Sequence, residues 1–515
     1  MDNTVGAGGV RRKTRWPSVR RIGQGLSFGL FVLLFLAMLV PPSFPVPVDL
    51  FLRLDPLVAI SGTLAGRQLT SNALWALPLL IAALVLGRFF CGWLCPLGTI
   101  LDLGRWRQKQ AFVVQERRWR EAKLLLLGFT LTAALQGSLT LMSLDPLPLL
   151  ERTMTAVLAP IVNQSLADGL LGLYSAGIAP SLAASVDQTV RQAVFPAQPR
   201  PVSLAFVFAT MFLTILVLNV VTHRFWCRYL CPLGALFSLL SRPAVLRRTV
   251  GNTCNGCNKC VRECRMGAIQ EGGRGTTPGE CIACTSCIET CPQGAVSFAR
   301  SPSTPHYDPS RRQALAVLGI GLLGAAAVRL EGAKVAEGTN AVRPPGAQHA
   351  DFLQRCVRCG ACIKVCPTGL LQPSLFEAGL DGMFSPIAKA QSGYCEWNCN
   401  SCGQVCPTGA IERLPLEQKQ RQVIGCAYVD KNRCIAWADD MECIICEEMC
   451  PLPRKAIVLD RATVVGTDGQ AKVIGRPRVR RDLCTGCAVC EFKCPLPRPA
   501  AIRVFNISSD PRLGI

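Results

Sequence analysis

The spacing of the cysteines is the feature that most constrains what this chain can fold into. Twenty-four of its 29 cysteines fall into six groups of four within 515 residues. Four groups share the spacing C-x2-C-x2-C-x3-C, and they are Cys254, Cys257, Cys260, Cys264; Cys281, Cys284, Cys287, Cys291; Cys356, Cys359, Cys362, Cys366; and Cys484, Cys487, Cys490, Cys494. Two groups have altered gaps, and they are Cys395, Cys399, Cys402, Cys406 and Cys434, Cys443, Cys446, Cys450. Proline follows the last cysteine of five groups, and Arg265 takes that place in the first.

This pattern favours [4Fe–4S] clusters. Three thiolates at short intervals reach three corners of a cube, and the fourth cysteine turns to a neighbouring cube. Structural zinc usually takes two ligand pairs separated by a longer insert. Disulfides need distant partners and do not require such a repeat. We therefore expect six [4Fe–4S] clusters, with all 24 grouped cysteines as iron ligands, in two α+β modules of the bacterial ferredoxin type.

The two-cluster pattern also predicts an exchange of the fourth cysteines between neighbouring groups. For the first two groups, the predicted sets are Cys254, Cys257, Cys260 with Cys291, and Cys281, Cys284, Cys287 with Cys264. The last four groups have two possible pairings. When all six groups are counted in chain order, either the third pairs with the sixth and the fourth with the fifth, or the third pairs with the fourth and the fifth with the sixth.

Long apolar runs indicate a membrane protein with several spans. Four runs approach the ~20 residues that cross a bilayer, and they are Ile22–Val40, Ala73–Phe90, Leu124–Leu144 and Val202–Val221. A single soluble domain is therefore excluded. The net charge is +21, and the basic residues flank the apolar runs instead of forming one face, so nucleic-acid binding is not expected. Their distribution places the N-terminus in the cytoplasm of a bacterium, with a multi-pass chain in the inner membrane.

Two further apolar stretches bear on topology. The loop Asp145–Pro201 is expected to form short helices on the outer membrane surface. The run Gln313–Val328 follows Arg311 and Arg312, and it is either a twin-arginine export signal or a fifth membrane helix. Both interpretations carry the rest of the chain to the outer side.

These features predict four parts. Residues 1–248 form a four-span membrane domain, and residues 249–300 a cytoplasmic ferredoxin domain with two clusters. Residues 301–345 form a linker with the fifth apolar segment, and residues 346–515 an extracytoplasmic domain with four clusters. The fold class is thus a polytopic α-helical membrane domain with two ferredoxin-like modules.

Four other cysteines form a second repeat, C-x3-C-P-L-G. It occurs at Cys91 and Cys95 and again at Cys227 and Cys231, both at the predicted cytoplasmic edge of the membrane. The i, i+4 spacing places both thiols of a copy on one helix face. We expect these four thiols to be catalytic. A metal site, a redox disulfide and a thiol site beside a quinone all remain open.

Two isolated residues are weaker candidates for a functional role. Cys426 belongs to no group, and a buried bystander is favoured over an alternative cluster ligand. His223 precedes the second C-x3-C-P motif, where it is either a proton acceptor or an ordinary interfacial side chain.

Together, these motifs resemble known ferredoxin-type proteins. Residues 1–300 resemble NapH, a membrane subunit of a quinol dehydrogenase, in their four spans, paired C-x3-C-P motifs and two-cluster domain. Residues 305–515 resemble NapG and MauM, with a twin-arginine start, four cluster motifs and the stretch Tyr394–Cys399. The membrane half is also similar to NosR and CcoG. The resemblance implies quinol oxidation and electron delivery to a periplasmic acceptor, and Arg265 departs from its usual pattern.

The expected function is therefore that of a membrane-bound iron–sulfur electron-transfer protein. The expected substrate is quinol, and the expected partners are membrane lipid, the quinone pool and a periplasmic reductase or redox protein. One alternative is an assembly or maturation factor, or a copper reductase that uses the C-x3-C-P thiols. A second is a structural or signalling subunit. The chain has no Gly-rich dinucleotide fingerprint, and it has neither the C-x-x-C-H motifs nor the histidines that multi-haem cytochromes need.

Overall fold

The computed structural model describes residues 16–38, 46–69, 71–103, 117–177, 180–191, 195, 201–300, 319, 341–348, 350–465 and 471–506. Apart from Gly319, the twin-arginine segment lies outside the described residues. The chain divides into two compact units, and each is described by itself. Unit 1 comprises Met1–Val32, Leu77–Leu127 and Thr214–Pro309, and unit 2 comprises Leu33–Ala76, Gly128–Leu213 and Ser310–Ile515.

The apolar part of the chain is helical. Its α-helices in chain order are α1 (Trp16–Ala37), α2 (Leu50–Arg53), α3 (Pro56–Gly66), α4 (Leu77–Leu86), α5 (Phe89–Trp93), α6 (Pro96–Leu103), α7 (Arg117–Leu135), α8 (Pro146–Thr153), α9 (Ala159–Ser175), α10 (Pro180–Val186), α11 (Ala205–Val221) and α12 (Pro232–Leu240). Short 3-10 helices are Ser71–Ala76, Thr140–Leu144 and Pro278–Glu280, and π-helical turns are Met154–Leu158, Asp187–Arg191 and Trp226–Leu230.

Among the described residues, two helices are long and apolar enough to cross a membrane, Trp16–Ala37 and Pro146–Ser175. Ala73–Leu86 and Ala205–Val221 are shorter apolar helices. The third predicted run is interrupted because Gly137 has a φ of +87°, which favours glycine after the end of α7. The expected count of four spans plus a fifth therefore stays a prediction.

The outer loop differs from its expected form. Instead of separate short helices, α8, a π-helical turn and α9 form one helical run over Pro146–Ser175. Proline cannot donate the helical hydrogen bond, and Pro160 stands directly after the π-helical turn at the start of α9. Single π-helical turns occur inside longer α-helices, and this one joins α8 to α9. The expectation of separate short helices is wrong for this stretch.

The cysteine-rich part of unit 1 is a small α+β module. Strands β1 (Leu246–Val250) and β2 (Val296–Arg300) pair antiparallel, with Leu246 opposite Arg300. Between them lie two short helices, Lys259–Glu263 and Ser286–Thr290. The two strands thus bring the ends of the module together.

The cysteine-rich part of unit 2 also consists of short helices and antiparallel strand pairs, over a longer stretch of chain. Its antiparallel pairs are β3 (Leu371–Pro373) with β4 (Pro386–Ala388), β5 (Cys426–Val429) with β8 (Ile502–Phe505), and β6 (Ile457–Val465) with β7 (Ala471–Val479). Its short helices are Phe352–Arg355, Ala361–Val365, Ser401–Gln404, Leu416–Arg421, Ile435–Ala438, Ile445–Glu448 and Val489–Lys493. Both modules therefore have the small α+β form that the cysteine spacing predicts.

Candidate functional site

The four regular cysteine groups share one backbone conformation. In each, the residue before the second cysteine and the residue after it have positive φ angles. These residues are Gly256 and Asn258, Ala283 and Thr285, Arg358 and Gly360, and Gly486 and Ala488. Positive φ is uncommon for residues other than glycine, and five of these eight are not glycine. The repetition indicates that the loops are shaped for the same ligand.

In unit 1, the fourth cysteines lie beside the neighbouring group. Burial raises the pKa of Cys264, and Cys284 adds to this effect, so those two thiols are close. The pKa of Cys287 is raised to about 12, first by burial and then by Cys284, with Cys264 again nearby. Four cysteines of the other set line one cavity, and they are Cys254, Cys257, Cys260 and Cys291. This grouping has the exchanged form that the sequence predicts.

In unit 2, the groups associate in chain order. Cys402 lies near Cys395, Cys399 and Cys366, and Cys362 lies near Cys356, Cys359 and Cys406. In the last two groups, one cavity is lined by Cys434, Cys443, Cys446 and Cys494, and Cys487 lies near Cys484 and Cys450. Of the two pairings left open, the structure thus places the third group with the fourth and the fifth with the sixth.

These donors fit iron–sulfur clusters. All 24 are free thiols, and none is in a disulfide. Within the described ranges, no three His, Cys, Asp or Glu side chains converge as ligands of a single metal ion do. A cubane instead spreads four thiolates over four corners. Burial raises the pKa of several thiols, to about 12 for Cys446 and Cys487, so cluster binding has to displace their protons.

The C-x3-C-P repeat is longer than the cysteines alone suggest. It reads R-F-F-C-G-W-L-C-P-L-G from Arg88 and R-F-W-C-R-Y-L-C-P-L-G from Arg224. Both arginines are fully buried. Arg88 Nη2 donates to the Cys227 carbonyl at 3.1 Å, and Arg224 Nη1 donates to the Cys91 carbonyl at 2.7 Å. Each copy therefore fixes the first cysteine of the other.

This reciprocal arrangement gathers the four thiols. Arg88 lies beside Cys91 and Cys231, and Arg224 lies beside Cys95 and Cys227. The four cysteines are 4 to 8% exposed. The motif's glycines leave room for the arginines: a Cβ at position 234 would lie 2.7 Å from Arg88 Nη2, and one at position 98 would lie 3.3 Å from Arg224 Nη2.

Asp102 is the centre of a buried charge network next to these thiols. Arg224 binds both of its carboxylate oxygens, each at 2.9 Å, and Arg265 reaches one of them at 2.7 Å. Burial alone would raise the pKa of Asp102, but Arg224, His223 and Arg265 hold it far below its usual range. His223 lies 3.3 Å from this carboxylate, and burial lowers its own pKa. Arg265, which replaces the usual proline, thus has a structural partner.

A second buried carboxylate pairs with the other arginine. Arg88 Nη1 donates to Glu280 Oε2 at 3.0 Å, and Lys123 binds the other oxygen. Burial would raise the pKa of Glu280, but Lys123 and Arg88 outweigh it, so the pKa is lowered. Sequence reasoning missed Arg88, Glu280 and Asp102, although the arginine three residues before the first cysteine of both copies was a readable signal.

The loop of the second cysteine group lies directly against the first C-x3-C-P copy. A Cβ at Gly92 would lie 2.3 Å from the Ile282 carbonyl oxygen, so only glycine allows this approach. Trp93 Nε1 donates to the Ala283 carbonyl at 3.1 Å. Of the two cysteine sets in unit 1, the set that contains Cys281 therefore lies next to the four thiols.

In unit 2, arginines fix the third cysteine group. Arg358, inside its loop, is 1% exposed and donates to the carbonyls of Cys356 and Asp381. Arg152 donates to the Arg358 carbonyl at 3.1 Å, and its guanidinium carbon lies 4.8 Å from the Phe208 ring centroid.

Cys426 lies beside a cysteine of the last group. The pKa of Cys484 is lowered to about 6, chiefly by a hydrogen bond with Cys426, although burial opposes the shift. The backbone N–H of Ala427 also donates to Cys484 Sγ at 3.4 Å. Cys426 is therefore a neighbour of a grouped cysteine and not a remote core residue.

Comparison with known proteins defines the class. Residues 69–112 and 204–252 match a family described as "4Fe-4S binding domain", and residues 280–370 and 355–410 match "4Fe-4S dicluster domain". The first description covers both C-x3-C-P copies. The chain is thus an iron–sulfur, ferredoxin-type electron-transfer protein.

Sequence similarity to known proteins shows which family the chain belongs to. The chain is 36% identical over 189 residues, 35% of its length, to the methylamine utilization ferredoxin-type protein MauM of Methylorubrum extorquens, of which it covers 81%. The chain therefore belongs to the family of this ferredoxin-type protein. It is also 27% identical over 270 residues to MauN of the same organism, covering 50% of this chain and 78% of MauN. With NapH of Escherichia coli, identity is 25% over 276 residues, covering 49% of this chain and 76% of NapH. The predicted resemblance is confirmed, and no solved structure matches the chain.

Proposed function

We propose that this protein is a membrane-bound electron carrier that oxidises quinol and passes the electrons to a periplasmic reductase or redox partner. In this proposal the 24 grouped cysteines hold six [4Fe–4S] clusters. Such clusters carry single electrons and so divide the two-electron oxidation of a quinol into steps. Its relatives MauN, MauM and NapH are all named ferredoxin-type proteins, which supports the electron-transfer role.

The exchange of fourth cysteines is the observation that carries the proposal. Cys264 lies with the second group, and Cys291 lines the cavity of the first. The same exchange occurs between neighbouring groups in unit 2. Each exchange links two ligand sets through a short segment, so electrons can pass from one set to the next within a module.

The four C-x3-C-P thiols are proposed to act at the cytoplasmic edge of the membrane. The contact of Gly92 with the loop at Ile282 supports this role, because it brings the repeat against the cysteine set that contains Cys281. The pattern of Lys and Arg supports a multi-pass chain of the bacterial inner membrane, with residues 249–300 inside and 346–515 outside.

A single experiment tests the proposal. The protein is purified anaerobically in detergent, and iron is measured against an expected ~24 per chain, six cubes of four. A menaquinol analogue is then added, and the clusters are followed by EPR in the presence of an artificial electron acceptor. Turnover of the acceptor supports a quinol dehydrogenase. A full iron content, with clusters that dithionite reduces but with no electron flow from quinol, would overturn it.

The four buried thiols also favour a second function, the reduction of a metal such as copper during assembly of another enzyme. Copper reduction without quinol oxidation, lost in Cys91→Ser and Cys227→Ser, would support it. The same variants with normal copper reduction would exclude the thiols from that reaction.

A further inference from the structure

The two C-x3-C-P copies belong to a longer repeat of the chain. The motif L-D-P-L precedes each copy, at residues 54–57 and 144–147. The proline of each L-D-P-L motif begins a helix, α3 or α8, and the proline of each C-P-L-G motif begins another, α6 or α12. The repeat therefore covers helix starts as well as cysteines, which indicates that the two copies are equivalent parts of an internal duplication.

The four thiols of the two copies lie in one group. Cys95 lies near Cys91 and Cys227, and Cys227 also lies near Cys91. Arg88 joins Cys231 to the group, because it lies beside both Cys231 and Cys91. Each copy supplies two thiols, whereas a [4Fe–4S] cube takes four. A cube in this place therefore needs both copies.

The copies share three features with proposed cluster ligands. The same x3 gap separates the first two cysteines of the fourth group, and proline follows the second cysteine of each copy as it follows the last cysteine of five groups. The sulfurs also accept backbone hydrogen bonds. The N–H of Gly234 donates to Cys231 Sγ at 3.1 Å, and the N–H of Gly98 donates to the Cys95 sulfur. Such bonds favour thiolates and are a usual part of iron–sulfur sites.

The ion pairs next to these thiols contain more positive than negative charge. Five buried cations share two carboxylates, and they are Arg20, Arg224 and Arg265 around Asp102, and Arg88 and Lys123 around Glu280. None of the five is more than 8% exposed. The two carboxylates neutralise two of the five charges, so three remain. Uncompensated buried charge is strongly destabilising, which points to an anionic partner at the thiols.

A cube bound by four thiolates has the charge that this surplus requires. It carries about two negative charges when oxidised and about three when reduced. Neutral thiols and disulfides are uncharged, so they leave the surplus in place. A single metal ion is disfavoured by a different observation, because among the described residues no three His, Cys, Asp or Glu side chains converge as its ligands would.

We propose that the four C-x3-C-P thiols together hold one further [4Fe–4S] cluster, shared between the two copies. The inference rests on the proposed function and deepens it, since it makes these thiols cluster ligands. Binding breaks each S–H bond, forms an Fe–S bond in its place and releases the proton to water. Gly92 contacts the loop at Ile282, so the shared cluster lies next to the set that contains Cys281. A one-electron transfer between the two reduces one cluster and oxidises the other.

The test counts clusters by native mass spectrometry of the full chain, in detergent under anaerobic conditions, after reconstitution with iron and sulfide. One double variant, Cys91→Ala with Cys95→Ala, removes the thiols of the first copy. A second, Cys227→Ala with Cys231→Ala, removes those of the other copy, and a quadruple variant removes all of them. Cys426→Ala is the matched control, because Cys426 is also a cysteine outside the six groups. EPR after reduction by dithionite shows whether the remaining clusters, and hence the fold, are intact.

The parent and Cys426→Ala are expected to hold about seven clusters, one more than the six cysteine groups provide. Each double variant and the quadruple variant should hold about six, because all of them remove the same cluster. If a double variant does not fold, Cys95→Ala alone should show the same loss.

A second cluster lost in the quadruple variant would mean two separate sites and would overturn the shared one. Six clusters in the parent and in every variant would overturn the inference while leaving quinol oxidation intact. A parent with seven clusters that a menaquinol analogue does not reduce would overturn the proposed function and leave the shared cluster in place.

Discussion

The two cysteine-rich modules have the same loops but are attached to their units in different ways. In unit 1, the attachment comes from the residue after a fourth cysteine, Arg265, which binds Asp102 at 2.7 Å. In unit 2, prolines keep that position, and the attachment comes from within a loop, through Arg358 and its contact with Arg152. Both solutions use a buried arginine.

The residue that departs from the usual motif has a structural role of its own in unit 1. A proline after the fourth cysteine serves the module itself, since it helps that cysteine to turn to the neighbouring set. Arg265 gives up this role and joins the module to the C-x3-C-P repeat through Asp102, which Arg224 also binds. The exchange of cysteines persists despite the replacement, so proline is not required for it.

Removing a fourth cysteine that lies with the neighbouring group is expected to have the largest effect, a loss of iron. Cys264→Ala should remove one proposed cube, about four irons per chain, because its thiol is the proposed fourth ligand of the second set. Cys426→Ala is the matched control, since Cys426 lies beside Cys484 without belonging to a set, and it should keep the full iron content. Iron and sulfide analysis measures both.

Double variants decide which cube is lost. Cys264→Ala combined with Cys281→Ala should lose no more iron than either change alone, because both act on one set. Cys264→Ala combined with Cys254→Ala should lose two cubes. The reverse result would show that the fourth cysteines stay with their own groups.

The buried attachment in unit 1 gives the next largest effect. Asp102→Asn leaves Arg224 and its neighbours buried without their counter-charge, and should destabilise this module by about 3–5 kcal/mol. The control is Asp460→Asn in the exposed pair with Arg478 of unit 2, where little or no change in stability is expected because water screens the pair. Hydrogen exchange of residues 246–300 and 457–479 measures the local free energy of opening. Equal effects would contradict the special role of Asp102.

The contact between the second cysteine loop and the repeat gives an intermediate effect. In Gly92→Ala, the new Cβ meets the Ile282 carbonyl, so the loop has to shift, at a cost of about 1–3 kcal/mol. Gly25→Ala in α1 meets no atom within 4 Å and should be neutral or stabilising. Hydrogen exchange of the loop 281–287 distinguishes them. Unchanged hydrogen exchange of this loop in Gly92→Ala would show that the contact is not tight.

The sequence predicted the exchanged cysteine grouping of unit 1, because local spacing is displayed directly by the chain, but it left the pairing of the groups in unit 2 open. It predicted the helical runs less well, since Gly137 and the π-turn before Pro160 change helix length through backbone geometry. Arg88, Asp102 and Glu280 were missed for another reason. Their partners are distant in sequence, and Glu280 lies 192 residues from Arg88. Only folding brings such charges together.

The smallest effect comes from an exposed pair in unit 2. Burial would raise the pKa of Glu377, but hydrogen bonds from Lys389 and the Leu375 backbone lower it to about 2. The unfolded value is about 4.3, so the carboxylate stabilises the fold above that pH. The stabilisation is lost as pH falls towards about 2. Since both side chains are partly exposed, Glu377→Gln should cost below ~1 kcal/mol near neutral pH. Hydrogen exchange of residues 371–388, measured from about pH 6 to about pH 3, gives the free energy of local opening. The difference in this free energy between the parent and Glu377→Gln should shrink as the pH falls. A difference in opening free energy that stays constant over this pH range would mean that the carboxylate acts through its shape and not its charge.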